Sequence, residues 1–116
     1  MATNKRIVLV TCGSAGEAGK IARAVVHQRL AACANIVEAQ ILSIYRWKGR
    51  VESAREVLLI IKTTRSRLAG LERAIRRLHT YEVPEIIALE VAAGSKNYLA
   101  WIEQSVRKPN PQRKSR

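Results

Sequence analysis

The chain is poor in several residue types, and each scarcity excludes something. Among its 116 residues there are two cysteines, Cys12 and Cys33, which is too few for a disulfide framework. Both are flanked by small or apolar residues and read as buried thiols, in keeping with a reducing compartment. Aromatic residues make up 4% of the chain, with no phenylalanine. No aromatic-rich basic strand of the RNA-stacking type occurs, and no zinc-finger or helix-turn-helix signature. No apolar stretch approaches the roughly twenty residues that a membrane helix requires. The run at residues 7–10 is too short for the apolar region of a signal peptide. The reading is therefore cytoplasmic, without a membrane partner. The glycines are isolated, and there is no GxSxG elbow, P-loop or dinucleotide-binding glycine pattern. No nucleophile stands beside a base and an orienting group in any recognisable spacing, so no enzyme is expected.

Acidic residues are also scarce: nine against twenty-one lysines and arginines, for a formal charge of +12. Part of this excess is local. Arg107, Lys108, Arg113, Lys114 and Arg116 lie in the closing RKPNPQRKSR, which holds two prolines and almost nothing apolar. The expectation is one domain over residues 1–106 and a disordered basic tail over 107–116. A positive field favours anions in general, and a solvated surface accounts for it as simply as a nucleic-acid partner does.

What is present is a clear alternation of periods. Residues 6–12, RIVLVTC, form a continuous apolar run that reads as a strand covered on both faces. Gly13-Ser14 makes a turn, and Ser14 with Glu17 has the spacing of a capping box. Ala18, Ile21, Ala22, Val25, Val26 and Leu30 then follow helical spacing. Residues 33–47 alternate as a long strand, with Ile36, Leu42 and Ile44 on one side and Cys33, Val37, Ile41, Tyr45 and Trp47 on the other. Lys48-Gly49 supplies a tight turn into a second long strand, 50–63. Residues 66–79 carry Leu68, Leu71, Ile75 and Leu78 at helical spacing. Pro84 sets the chain extended before a strand over 85–92. Ser95 caps a last helix bearing Tyr98, Leu99, Ile102 and Val106. The order β-α-β-β-α-β plus a terminal helix predicts an α+β, ferredoxin-like sandwich: a four-stranded antiparallel sheet with two helices on one face. Its two central strands are too long for those helices to cover, which predicts self-association.

For chemistry, Cys12, Cys33, His27 and His79 are the soft or imidazole ligands, and none is paired at zinc-finger spacing. His27 reads as a surface residue. His79, at a helix end before an extended segment, could satisfy the last helix carbonyls or bind a metal. Glu56 and Lys62 interrupt an apolar strand and are expected to pair, within a subunit or across an interface, because buried charges need partners. With Ser43, Tyr45, Trp47, Tyr81, Glu82 and Glu85 they mark either an interface network or a cleft between subunits.

Five ordered segments resemble the CutA family of divalent-cation tolerance proteins. They are RLAACANI at 29–36, the S-x-Y-x-W-x-G pattern at 43–49, EVLLIIKT at 56–63, HTYEVPEI at 79–86 and YLAWI at 98–102. The resemblance implies a ferredoxin-like fold, a tight homotrimer, an architecture like that of the nitrogen-regulatory PII family and no catalytic activity. It implies a role in the response to copper and other divalent cations, with no required cofactor. In some members a cysteine ends the first strand and two consecutive histidines precede Pro-Tyr. Here Val10, Leu78 and His79 hold those positions and Thr80 replaces the proline, so one ligand of three stays in register. Cys12, two residues after Val10, points to the same side by strand alternation. His79 and Cys12 are thus the metal-ligand candidates. Two rival readings are a PII-like sensor taking an anionic ligand between subunits, and a nucleic-acid-associated basic protein.

Overall fold

The computed structural model describes residues 2–108. The elements run β1 (Lys5–Cys12), α1 (Ala15–His27), β2 (Cys33–Trp47), β3 (Arg50–Thr64), a 3-10 turn (Arg65–Arg67), α2 (Leu68–Leu78), β4 (Ile87–Glu90) and α3 (Lys96–Ser105). The four strands form one sheet in the order β2-β3-β1-β4, with every neighbouring pair antiparallel. This is the predicted α+β ferredoxin-like arrangement. The expected tail at 107–116 lies outside the described residues apart from Arg107 and Lys108.

One face of the sheet is closed. Val8, Val10 and Cys12 of β1 and Val57, Leu59 and Ile61 of β3 are at most 1% exposed. They pack against Ala18, Ile21 and Val25 of α1 and Leu71, Ala74 and Ile75 of α2. The local sequence explains both helices. At the start of α1 the Ser14 hydroxyl accepts from the Glu17 amide, covering one of the orphan donors. Its C-terminal end is closed by Arg29 in the left-handed region, φ 58°, which lets the Leu30 amide donate back to the Val25 carbonyl and turns Leu30 onto the core. Val26, expected on the buried stripe, is 40% exposed and lies off it. A small second cluster of Ala32, Ile102 and Val106, with Leu99 against it, seats α3.

The other face is open, which corrects the expectation that the first strand is covered on both sides. Strand alternation turns Ile7 and Leu9 away from the helices. The register places Ile7 between Lys62 and Leu89, and Leu9 between Ile60 and Ile87. Ile7, Leu9, Leu58 and Ile60 are only half-buried, and Ile87 and Leu89 are exposed. Among the described residues no element supplies the second layer.

The β2–β3 hairpin also outruns the sheet. β1 ends where Cys12 opposes Val57, whereas β2 and β3 stay paired from Ile41–Glu56 out to Trp47–Arg50. Between Val37 and Ile41 the register shifts, so the arm leaves the sheet through an irregularity. At its tip Lys48 and Gly49 take φ 50° and 79°, the positive pair that a two-residue turn between twisted strands demands. The arm exposes Leu42, Ile44 and Val51 and stretches the molecule to 54 × 31 × 24 Å. A two-stranded ribbon alone is marginal in water, so this arm needs something to lie against. β4 is shorter than the expected 85–92. Pro84 has no amide hydrogen to give a ladder, and Ile86 turns to pack on the core.

Candidate functional site

Two groups of chemically able side chains meet where β1 ends. The first surrounds Cys12. β1 delivers a free thiol into the closed core. Two residues on, the chain turns at Gly13-Ser14, which brings the first turn of α1 back over the strand end. There the Glu17 carboxylate accepts from the Gly13 amide at 3.1 Å and, through its other oxygen, from the Thr80 amide at 2.9 Å. Glu17 therefore closes a variant of the expected capping box, reaching the residue before the cap rather than the cap itself. It also ties the β1–α1 turn to the segment after α2.

That segment begins with His79, which is 8% exposed. Its Nε2 lies 2.8 Å from the Thr11 carbonyl oxygen and Nδ1 lies 3.1 Å from the Tyr81 amide. A carbonyl can only accept and an amide can only donate, so the ring is the neutral tautomer with its proton on Nε2. The sequence-based reading offered the imidazole either the last helix carbonyls or a metal. Its partner is instead a strand carbonyl sixty-eight residues away. Cys12, Glu17 and His79 bring Sγ, a carboxylate oxygen and a ring nitrogen within 4.8 Å of one another.

Charge at this cluster is negative. Burial pushes the Cys12 thiol up to about 11, and the carboxylates of Glu17 and Glu56 add to the shift. Burial alone would raise Glu17 too, but the hydrogen bonds from Thr80 and Gly13, with His79 nearby, hold it below its ordinary value. Among the described residues no lysine or arginine pairs with either carboxylate.

The second group lines a cavity of about 770 Å³ at the root of the arm. Ser43, Tyr45 and Trp47 come from β2, Glu56 from β3, and Tyr81, Glu82 and Glu85 from the loop before β4. Seven of the eight residues expected in a cleft are thus brought together. Lys62 is the exception. It lies on the open face, where its Nζ donates to Asn35 Oδ1 at 2.6 Å. Within one chain the expected Glu56–Lys62 pair does not form, because the two stand six residues apart on one extended strand. Glu56 is 6% exposed and is satisfied by the Tyr81 hydroxyl, which donates to it at 2.8 Å. Burial and that same carboxylate raise the Tyr81 phenol well above its usual range. Lys48 Nζ sits 5.6 Å from the centre of the Trp47 ring, so this aromatic face already holds a cation. Cys33, expected to be buried, is half-buried near Asn35 on the open face. His27, as expected, is exposed.

Sequence reasoning missed Glu17 and Thr11. Glu17 was legible as a cap but not as a neighbour of His79, because that contact spans sixty residues. Thr11 acts through its carbonyl, which leaves no mark in the sequence.

The comparisons with known proteins agree with this geometry. The family model for CutA1 divalent ion tolerance protein matches residues 6–105. The divalent-cation tolerance protein CutA of Thermus thermophilus is 45% identical over 101 residues, covering 87% of this chain and 97% of that protein. Protein CutA of Mus musculus is 50% identical over 95 residues, covering 82% of this chain but 53% of its own, so the chain spans about half of that mammalian relative. The crystal structure of CutA from Xylella fastidiosa superposes with a TM-score of 0.87 at 33% identity, over 90% of this chain and all of that one. A family match over residues 6–105, together with a relative 45% identical over 97% of its own length, places the chain in the CutA1 divalent ion tolerance family.

Proposed function

We propose that this protein is a homotrimeric binding and structural module in the cellular response to divalent metal ions, copper among them, and that it is not a catalyst. The observation that carries the reading is the open apolar face of the sheet. Ile7, Leu9, Leu58, Ile60, Ile87 and Leu89 present one surface with no layer over it. Contiguous apolar surface of this kind marks an association site. The arm, with Leu42, Ile44 and Val51 exposed, gives each copy a means of reaching its neighbour. Burying 1,000 Å² of such surface contributes on the order of 25 kcal/mol before the costs of association. Threefold closure leaves no free copy of the patch.

On this reading the cavity at the root of the arm becomes a cleft between subunits. Its lining has Glu56, Glu82 and Glu85 against the single cation Lys48, which favours cationic over anionic contents. That weighs against the PII-like alternative of an anionic ligand. The nucleic-acid alternative keeps only the general positive charge. Divalent-cation tolerance is what the family model and the Thermus relative are named for; its extension to this chain, and a cytoplasmic place of action, belong to the proposal.

Light scattering on the full chain is the test of assembly. The expected mass is three times the 13.0 kDa of one chain. A folded species at the single-chain mass at micromolar concentration would refute the trimer. For the cation role, a strain lacking the gene should become more sensitive to copper and recover with the wild-type chain. Unchanged sensitivity would refute it.

A further inference from the structure

We infer that the cavity at the root of the arm binds an aliphatic diamine, an organic dication of the polyamine class. The inference goes beyond the metal reading, because its ligand is a molecule with N–H donors and a carbon chain. It stands on the cavity of one chain and does not need the trimer.

Glu56 carries it. The residue lines the cavity and is 6% exposed. One carboxylate oxygen accepts from the Tyr81 hydroxyl at 2.8 Å. The other has no hydrogen-bond partner among the described residues, and because no fully buried side-chain oxygen is left unsatisfied, it reaches the cavity. Among the described residues no lysine, arginine or histidine lies within ion-pair distance of Glu56 either. A carboxylate this far from water is costly without a countercharge. Its free oxygen accepts only, so the cation that suits it donates N–H, as a primary ammonium does and a quaternary one cannot.

The walls select the rest of the ligand. Tyr45 and Trp47 stand two residues apart on β2 and offer ring faces, with Ile44 and Val83 beside them. A methylene chain is covered by such surface. The Trp47 ring already shows the contact: Lys48, whose side chain is a butylammonium, holds Nζ 5.6 Å from the ring centre. Charge sets the valence. Glu56, Glu82 and Glu85 against Lys48 leave two negative charges uncompensated, which a diammonium ion matches. A metal ion fits less well. At about 770 Å³ the cavity has the size of a small-molecule site, and among the described residues its three carboxylates do not converge closely enough to share one ion.

Isothermal titration of the full-length chain with 1,4-diaminobutane is the test. Wild type should bind one equivalent per chain. The fully N-methylated, bis-quaternary analogue has the same charge and no N–H, and should bind at least about tenfold more weakly. Glu56→Gln keeps an acceptor for the Tyr81 hydroxyl and should also weaken the diamine at least about tenfold. Trp47→Leu should weaken it several-fold, whereas Lys48→Gln removes a competing cation and should tighten it. Glu38→Gln removes an exposed carboxylate of β2 outside the cavity and should match wild type. Circular dichroism separates lost binding from lost fold. If Glu56→Gln does not fold, Trp47→Leu and the analogue on wild type still decide. The inference is overturned if wild type does not bind the diamine or if the analogue binds as tightly. It is equally overturned if Glu56→Gln and Trp47→Leu both match wild type, or if magnesium chloride displaces the diamine at equal concentration. A failed titration on a protein of trimeric mass strikes this site and leaves the assembly reading standing. Diamine binding by a species of single-chain mass does the reverse.

Discussion

The two faces of the sheet carry similar side chains and have opposite fates. Val8 and Val10 share β1 with Ile7 and Leu9, and Leu59 and Ile61 share β3 with Leu58 and Ile60. The first set is sealed beneath α1 and α2, whereas the second is half-open, with exposed Ile87 and Leu89 beside it. Hydrophobicity alone therefore does not say which face a single chain can cover. What decides is that both crossover helices lie on the same side, as right-handed connections require.

The contrast is open to mutation, and the closed face should give the largest effect. Leu59→Ala removes a 0%-exposed side chain and should cost about 2–5 kcal/mol in denaturant unfolding, with assembly intact in the folded fraction. The open face should respond in the other order. Leu9→Asp should leave far-UV circular dichroism near wild type while light scattering shows loss of the assembled mass. A trimer that survives this charge would mean the face is not an interface. Tyr45→Asp and Trp47→Asp should weaken assembly less, since they place the charge on the arm and not in the middle of the open apolar face. At the cavity, Tyr81→Phe leaves the buried Glu56 carboxylate without its donor and should cost about 1.5–3 kcal/mol at neutral pH, read by thermal melting.

The smallest effect should come from the part-buried pair that fastens α3 to β1. Glu103 accepts from Asn4 and lies 3.1 Å from Lys5 Nζ, and these contacts hold its carboxyl below the ordinary value. A depressed folded-state value means the stabilisation is present above about pH 4.3, the unfolded value, and fades as pH falls through the folded one. The melting temperature of Glu103→Gln should sit slightly below wild type at pH 7 and converge with it in acid. A gap that widens in acid would contradict this assignment.

Most of the fold was legible because it is local. Helical spacing, the Ser14 and Ser95 caps and the Lys48-Gly49 turn act within a few residues, and apart from Val26 each stands as read. The arm was legible from strand length. The cleft was legible in part, because Ser43, Tyr45 and Trp47 alternate on one strand. What failed to show were choices made between distant segments. Whether Glu56 meets Lys62 or Tyr81 depends on where the loop before β4 crosses the sheet. Whether Cys33 is buried depends on which face has helices. The Cys12–Glu17–His79 cluster needs β1, α1 and the end of α2 together, and no spacing within one segment encodes it.

The place of β1 has a consequence for how the molecule is made. The first of the four strands in chain order lies in the middle of the sheet, with β3 on one flank and β4 on the other. Its hydrogen-bonding partners run as far as Glu90, so that strand is not fully paired until all four strands have been made. Such long-range pairing slows folding and leaves an apolar segment waiting. Newly made chains should therefore depend on chaperones until β4 has been made, and truncation before β4 should give aggregates rather than a smaller stable domain.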